Sequence, residues 1–401
     1  MEKDLKAQQR AITQRTVEVL PLPELKRKIE KAVKANKPLN VKFGVDPTSP
    51  DLHLGHAVPL NKLRQLQDLG HMVTLIIGDF TARIGDPSGK SATRPQLSEG
   101  EIRKHAQTYT QQAFKILDKD QTKVVYNSSW LSRLNFNDLI KMAAKFTVAR
   151  LMERDDFSKR FKENTPIGLH EFLYPVMQAY DSVVIKSDIE LGGTDQIFNM
   201  LAGRDLQEKD GQEAQVVLTV PLLVGTDGTQ KMSKSLGNHV GLTEPPKEMF
   251  GKIMSIPDSL MIDYFKLCTR LTDEEITKIE KGLKSGKLHP GEEKRSLAKH
   301  IISIYYDRKQ ADTAEAEFDK VFKEQQVPSD ITEVKVSSNK MWVVKLLVET
   351  GLASSNGEAR RAIQGNSVKL NSKPLDDVNA EIDIKSGDVL QVGKRKFVKI
   401  S

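Results

Sequence analysis

His53-Leu54-Gly55-His56 sets two imidazoles three residues apart with a glycine between them. At the first turn of a helix, that spacing brings both side chains to one face. The glycine lets a ligand approach the backbone, and the helix start adds free N–H groups and partial positive charge suited to phosphate. Two other readings fit the pair: a structural pair of histidines, or ligands of a metal. Zinc wants three or four ligands, and no cysteine cluster is on offer, so no metal site is expected. Roughly 175 residues further on, Lys231-Met232-Ser233-Lys234-Ser235 follows Gly225-Thr226-Asp227-Gly228-Thr229, a composition that favours a turn able to move. Two ammonium groups on such a loop can close over a triphosphate and stabilise charge as it migrates to pyrophosphate. The plainer alternative is a solvated charged turn.

Three further segments carry polar groups at telling spacings. Tyr174, Gln178 and Asp181 form an i, i+4, i+7 stripe within the otherwise apolar Phe172 to Val184, where Pro175 is expected to kink the chain. Such stripes are often ordinary boundary positions, yet an Asp and a Gln framed by Leu, Val and Met need partners, and a small polar ligand would serve. Gly192-Gly193-Thr194-Asp195-Gln196 follows a strand and opens a helix, which sets Asp195 to take a ribose hydroxyl. Gly85-Asp86-Pro87-Ser88-Gly89-Lys90-Ser91 is not a phosphate-binding P-loop, because Ile84 stands where that pattern needs glycine.

The elements that must position these groups read as alternating strands and helices. Strands are expected at Val41–Val45, Met72–Gly78, Lys123–Tyr126, Ser182–Glu190 and Val216–Val224. Helices are expected at Leu25–Ala35, His53–Leu69 (stopped by Gly70), Ser98–Leu117 and Phe136–Met152. The continuous apolar run of Met72–Gly78 suits a strand buried on both faces of a parallel sheet. Alternation of this kind implies right-handed crossovers and a doubly wound sheet, with ligands at the carboxyl ends of its strands. From Pro246 to about Phe322 the pattern is helical, and Lys323 to Lys340 has a linker's composition. The tail folds again on a small scale: an apolar helix from Trp342 to Val348, a capping box at Ser355-Asn356-Gly357-Glu358, then short strands with a hairpin turn near Gly393 and Lys394.

The chain of 401 residues exceeds one ordinary domain. Its 38% hydrophobic and 29% charged residues, with a mean hydropathy of −0.44, fit a globular protein. No apolar run approaches the roughly 20 residues a bilayer span needs, and Met1 to Arg15 lacks a signal core, so neither membrane insertion nor export is expected. The lone Cys268 excludes an internal disulfide framework and fits a reducing cytoplasm. Of the net charge of +7, a surplus of four Lys and Arg over Asp and Glu lies between Ser338 and Ser401. By itself such a charge serves solubility or a nucleic-acid partner alike, and its concentration in the last sixth of the chain is the more telling feature.

Taken together, these segments resemble the class I aminoacyl-tRNA synthetases, and within them the tyrosine-specific bacterial branch that carries a full Lys-Met-Ser-Lys-Ser segment. Tyr174-x3-Gln178-Ala179-Tyr180-Asp181 and Gly192-Gly193-Thr194-Asp195-Gln196 carry the tyrosine-specific part. The match runs from about Val41 to Pro246 and more loosely through the tail. The resemblance implies a Rossmann-like catalytic domain over residues 1–236, an α-helical anticodon-side domain over 237–325, a linker over 326–339, and a small α+β RNA-binding domain over 340–401. It implies that Asp46, Thr48, His53, Gly55, His56, Asp195, Lys231, Met232 and Lys234 hold ATP. By the same resemblance Asp181 receives a tyrosine phenol, while Tyr174, Gln178, Gln196 and Asp86 surround its amino group. Lys90 and Arg94 would form a mobile phosphate-binding loop that joins His53, His56, Thr48, Lys231 and Lys234 in catalysis, and Arg360 and Arg361 would contact tRNA phosphates. ATP with magnesium, L-tyrosine, a tyrosine tRNA and a second copy of the chain are the implied partners. Lys42 departs from the pattern: another bacterial branch has a phenol-binding tyrosine there. Smaller nucleotidyltransferases, a tryptophan-specific synthetase and an RNA-binding protein without activity share parts of the pattern.

Overall fold

The computed structural model describes residues 2–87, 98–322, 332–371, 373–393 and 396–401. Lys90, Arg94 and Lys394 lie outside the described residues. The chain divides into two compact units, Met1–Pro245 with Lys252–Asp307, and Pro246–Gly251 with Arg308–Ser401.

The first unit is built on a six-stranded sheet: β1 (Val19–Leu20), β2 (Asn40–Val45), β3 (Met72–Ile77), β4 (Thr122–Tyr126), β5 (Ile189–Gly193) and β6 (Val216–Val220). The spatial order is β1-β6-β5-β2-β3-β4, parallel throughout except for the short edge strand β1 against β6. This is the expected doubly wound sheet. Strands β3 and β4 step to one side of β2, while β5 and β6 lie on the other. The order therefore reverses between β2 and β5, and ligands bind where such a reversal leaves a crevice. The pairing itself opens that crevice. β2 runs beside β3 as far as Val45–Ile77 and β5 beside β6 as far as Gly193–Val220, yet β2 and β5 pair only at Val41–Ile189 and Lys42–Glu190. Beyond Lys42 and Glu190 the two strands part.

The helix Leu54–Asp68 begins one residue after His53, which is its N-cap, and Gly70 closes it at φ 92°. The strand expected at Ser182–Glu190 is in fact the last turn of the helix Leu173–Ile185 followed by β5. The apolar run Val183-Val184-Ile185 suits either element, and packing decided for helix, with Lys186 closing it at φ 51°. Pro175 does not interrupt this helix, because it falls in the first helical turn, where no intrahelical N–H bond is lost. Phe136 to Met152 is likewise two short helices, Phe136–Ala143 and Val148–Leu151, each started by its own cap, Asn135 and Thr147.

Three helices, Met261–Cys268, Asp273–Lys284 and Pro290–Tyr305, complete the first unit. In the second unit the tail forms a five-stranded sheet and a two-stranded one, with the helices Val343–Glu349 and Asn356–Gln364 against a core of Val343, Val344, Leu347, Ile363, Val368 and Leu390. One strand of the larger sheet, Thr332–Val334, pairs in parallel with the final strand Lys396–Ile400. It lies in the stretch whose composition reads as linker, because three exposed-edge residues carry no period to detect. Among the described residues, no helix is long and apolar enough to cross a membrane.

Candidate active site

Strand β2 delivers Asp46 to the mouth of the crevice, where its carboxylate is fixed at once. Thr81 Oγ1 donates to Oδ1 at 2.7 Å and Tyr174 Oη donates to Oδ2 at 2.9 Å. Gly78 leaves room for this, since a Cβ there would stand 2.0 Å from Asp46 Oδ1. The N–H of Thr48 donates to Asp46 O at 2.8 Å, which turns the chain toward His53.

The two histidines support each other. Gly55 N donates to His53 Nδ1 at 3.1 Å, and His53 N donates to His56 Nδ1 at 3.3 Å, with the ring centroids 3.9 Å apart. Both Nδ1 atoms accept, so this hydrogen-bond pattern assigns the proton of each neutral ring to Nε2. Burial first, then the charges of His56, His239 and Lys234, lower His53 to about 2; burial, then Lys234, lowers His56 to about 4. At neutral pH both rings are uncharged donors. A Cβ on Gly55 would meet the His53 ring at 2.9 Å, so the glycine first of all makes space for the imidazole pair.

Opposite them lies the lysine loop. Met232 is buried and its N–H donates to Leu223 O at 2.8 Å. Asn238 ties the loop from behind: Ser233 N donates to its Oδ1 at 2.7 Å, and its Nδ2 donates to Asp227 Oδ2 at 2.9 Å. The two lysines flank this anchor and both meet carboxylates. Lys231 Nζ is 3.4 Å from Asp195 Oδ2, while Lys234 Nζ is 2.8 Å from Asp51 Oδ2 and 2.9 Å from Ser49 Oγ.

Deeper in the crevice the helix Leu173–Ile185 turns Tyr174, Gln178 and Asp181 inward, as its spacing requires. Trp130 Nε1 donates to Asp181 Oδ1 at 2.8 Å and Asn127 Nδ2 donates to Oδ2 at 3.3 Å. Burial pushes the Asp181 carboxyl up to about 6, against the lowering influence of Lys42 and of those two donors. On the facing wall, Gln196 Nε2 donates to Asp86 Oδ2 at 2.9 Å, and Asn199 Nδ2 donates to Gln196 Oε1 at 3.0 Å. Arg154 holds Asn199 in turn, with Nη1 2.8 Å from Asn199 Oδ1.

The inner cavity, about 290 Å³, is lined by Tyr174, Gln178, Asp181 and Gln196. An outer cleft is lined by His53, Lys231, Met232 and Lys234. Thr48, Gly55, His56, Asp86 and Asp195 border both, so the two spaces are continuous. Every described residue expected at an ATP or tyrosine site thus faces one crevice. Arg360 and Arg361 belong to the second unit, both exposed; the Arg360 guanidinium lies 5.1 Å from the Trp342 ring centroid. Sequence reasoning missed Asn127, Trp130, Ser49, Asp51, Asn199 and Arg154. Asn127 could have been flagged because it directly follows a parallel strand; the others offer no local signal.

Fold and site together define a class. A family model for class I tRNA synthetases of the tryptophan and tyrosine group matches residues 34–323, and a model for the C-terminal domain of tyrosine–tRNA ligases matches residues 323–400. Curated tyrosine–tRNA ligases share half of the sequence end to end. That of Moorella thermoacetica is 50% identical over 100% of this chain and 97% of its own, and that of Aquifex aeolicus is 51% identical over 98% of each. Among solved structures, the tyrosyl-tRNA synthetase of Archaeoglobus fulgidus, complexed with L-tyrosine, aligns at a TM-score of 0.64 and 28% identity over 78% of this chain and 99% of that one. The synthetase of Aeropyrum pernix shares the fold at a TM-score of 0.64 and 20% identity, over 78% of this chain and 97% of its own. The chain belongs to the tyrosine–tRNA ligase family.

Proposed function

We propose that the crevice activates L-tyrosine with ATP, giving tyrosyl-adenylate and pyrophosphate, and then passes the tyrosyl group to the 3′ end of a tyrosine tRNA. The observation that carries this reading is the continuity of a buried polar cavity with a phosphate-ready cleft.

The phenol is received by Asp181, whose two oxygens are already oriented by Trp130 and Asn127. The ammonium group faces Tyr174, Gln178, Gln196 and Asp86. ATP lies across Asp46, Thr48, Gly55 and the imidazole pair, with its ribose on Asp195. Magnesium enters as the counter-ion of ATP, part of the substrate. A carboxylate is already a nucleophile, so adenylate formation needs no general base, and catalysis rests on positioning and on charge stabilisation. The uncharged histidines supply Nε2–H donors, which bind developing negative charge without demanding a proton. Lys231 and Lys234 supply mobile positive charge for the departing pyrophosphate, joined in this reading by Lys90 and Arg94. Arg360 and Arg361 take phosphates of the tRNA, within a small RNA-binding domain that includes the strand Thr332–Val334 as well as residues 340–401.

Phe136, Ile140, Val148, Phe161 and Leu169 are between 52% and 82% exposed. We assign this apolar surface to contact with a second copy, making the protein a homodimer, and its location to the cytoplasm. A Phe136→Glu, Phe161→Glu variant is expected to sediment as a monomer, and a dimer of unchanged stability would reject the assignment. The function itself is tested by ATP–pyrophosphate exchange without tRNA, with tyrosine, tryptophan and phenylalanine in parallel. Exchange driven by tyrosine alone is expected; exchange driven by tryptophan would overturn the role of Asp181.

A further inference from the structure

Lys42 stands where the sequence pattern leads one to look for a phenol ligand, yet all three of its Nζ–H donors are committed elsewhere. They reach Gln178 O at 2.9 Å, Ser182 Oγ at 2.7 Å and Glu190 Oε1 at 2.8 Å. Lys42 is 0% exposed and Glu190 1%. The pair is also the last register between β2 and β5 before those strands part to open the cavity. Glu190 is saturated in turn. Its Oε1 accepts from Gln178 Nε2 at 3.2 Å as well as from Lys42, and its Oε2 accepts from Ser182 Oγ at 3.1 Å and from Gln215 Nε2.

A carboxylate only accepts, so it fixes which end of the Gln178 amide it meets. The NH2 end faces Glu190, and the carbonyl oxygen is left for a donor in the cavity. We propose that the buried Lys42–Glu190 pair is the positioning device of the amino-acid pocket: it aims the Gln178 side-chain carbonyl at the substrate's ammonium group, in the cavity that both partners line together with Asp181. This rests on the reading of Gln178 and Asp181 as tyrosine ligands. Ionisable groups act on Asp181 from two strands, Lys42 on β2 and Glu190 on β5, while Trp130 and Asn127 contribute neutral donors. Lys42 favours the ionised carboxylate and Glu190 opposes it, so the two partners pull in opposite directions on the same group.

The test is tyrosine-dependent ATP–pyrophosphate exchange by the full chain, with kcat/KM for tyrosine followed from pH 5 to 9, for the parent, Lys42→Met, Glu190→Gln and Asp181→Asn. Both pair variants are expected to raise KM for tyrosine by about 10-fold or more, as loss of a charge-assisted anchor implies. KM for ATP should change little by comparison. The acid limb is expected to move up by about one pH unit in Lys42→Met and down in Glu190→Gln. A purely structural role would move neither limb, or both the same way, and that result overturns the proposal. If breaking the buried pair prevents folding, the double variant Lys42→Met/Glu190→Gln leaves no unpaired charge. A KM raised for tyrosine alone then upholds the proposal, and an unchanged one rejects it. Absent exchange by the parent, or an unaltered KM in Asp181→Asn, would instead reject the tyrosine-site reading.

Discussion

Replacing Lys234 with alanine probes the lysine loop where its chemistry and its structure can be separated. The loop is anchored through buried Met232 and through Asn238, neither of which depends on the Lys234 side chain. Lys234→Ala should therefore leave the loop in place, at a stability cost of at most about 1 kcal/mol for the lost partly exposed contact. In the proposed mechanism, what it removes is one positive charge over the departing pyrophosphate. Loss of one preorganised stabilising group costs about 3–4 kcal/mol, so adenylate formation should slow by roughly 10²- to 10³-fold. Single-turnover quench-flow, with tyrosine binding measured separately by equilibrium dialysis, is the assay. A rate within threefold of the parent would refute the role. The pairing with Asp51 adds a second arm. Those side chains are 29% and 49% exposed, so the contact is worth at most about 1 kcal/mol, or roughly fivefold in an equilibrium. On the proposed reading Asp51 competes with triphosphate for Lys234, so Asp51→Asn is expected to tighten ATP binding by up to that factor. Weaker ATP binding would mean that Asp51 assists the nucleotide.

Three more outcomes are expected. Because burial lifts Asp181 to about 6, tyrosine binding should fall as pH drops through 6, and Asp181→Asn should abolish that limb while raising KM for tyrosine; a limb that persists in the variant would assign it to another group. His71 is fully buried, with Leu39 N donating to Nδ1 at 3.3 Å and Nε2 against Gln8 Oε1 at 3.0 Å, and burial lowers it from 6.5 to about 4. The unfolded chain takes up the proton first, so this stabilisation is present above 6.5 and lost as pH falls toward 4. His71→Gln should shrink the stability difference between pH 7 and pH 5 by about 2 kcal/mol in guanidinium unfolding, and an unchanged difference would refute the linkage. Replacing Arg360 and Arg361 with alanine should weaken tRNA charging, reduce its salt dependence by about one in slope per arginine, and spare pyrophosphate exchange; loss of exchange in a folded variant would contradict the separation of roles.

Residue type and spacing were sufficient where a local rule governs. The imidazole pair with its glycine at His53–His56 announces a helix start, the stripe Tyr174-Gln178-Asp181 has helical period, and the apolar run at Met72 announces a central parallel strand. Such signals depend only on neighbours within a turn or two. The sheet order, the early parting of β2 from β5 and the choice of helix over strand at Ser182–Ile185 depend on contacts between segments far apart in the chain, and no local pattern encodes them. Lys42 makes the division plain. The sequence marked it only as a departure from the pattern of the family it resembles. Only the tertiary structure decided its partners, because Glu190 lies 148 positions away and is brought into register with Lys42 by the pairing of two parallel strands. A buried lysine must find acceptors or lose its charge, and that requirement is met across the fold rather than along the chain.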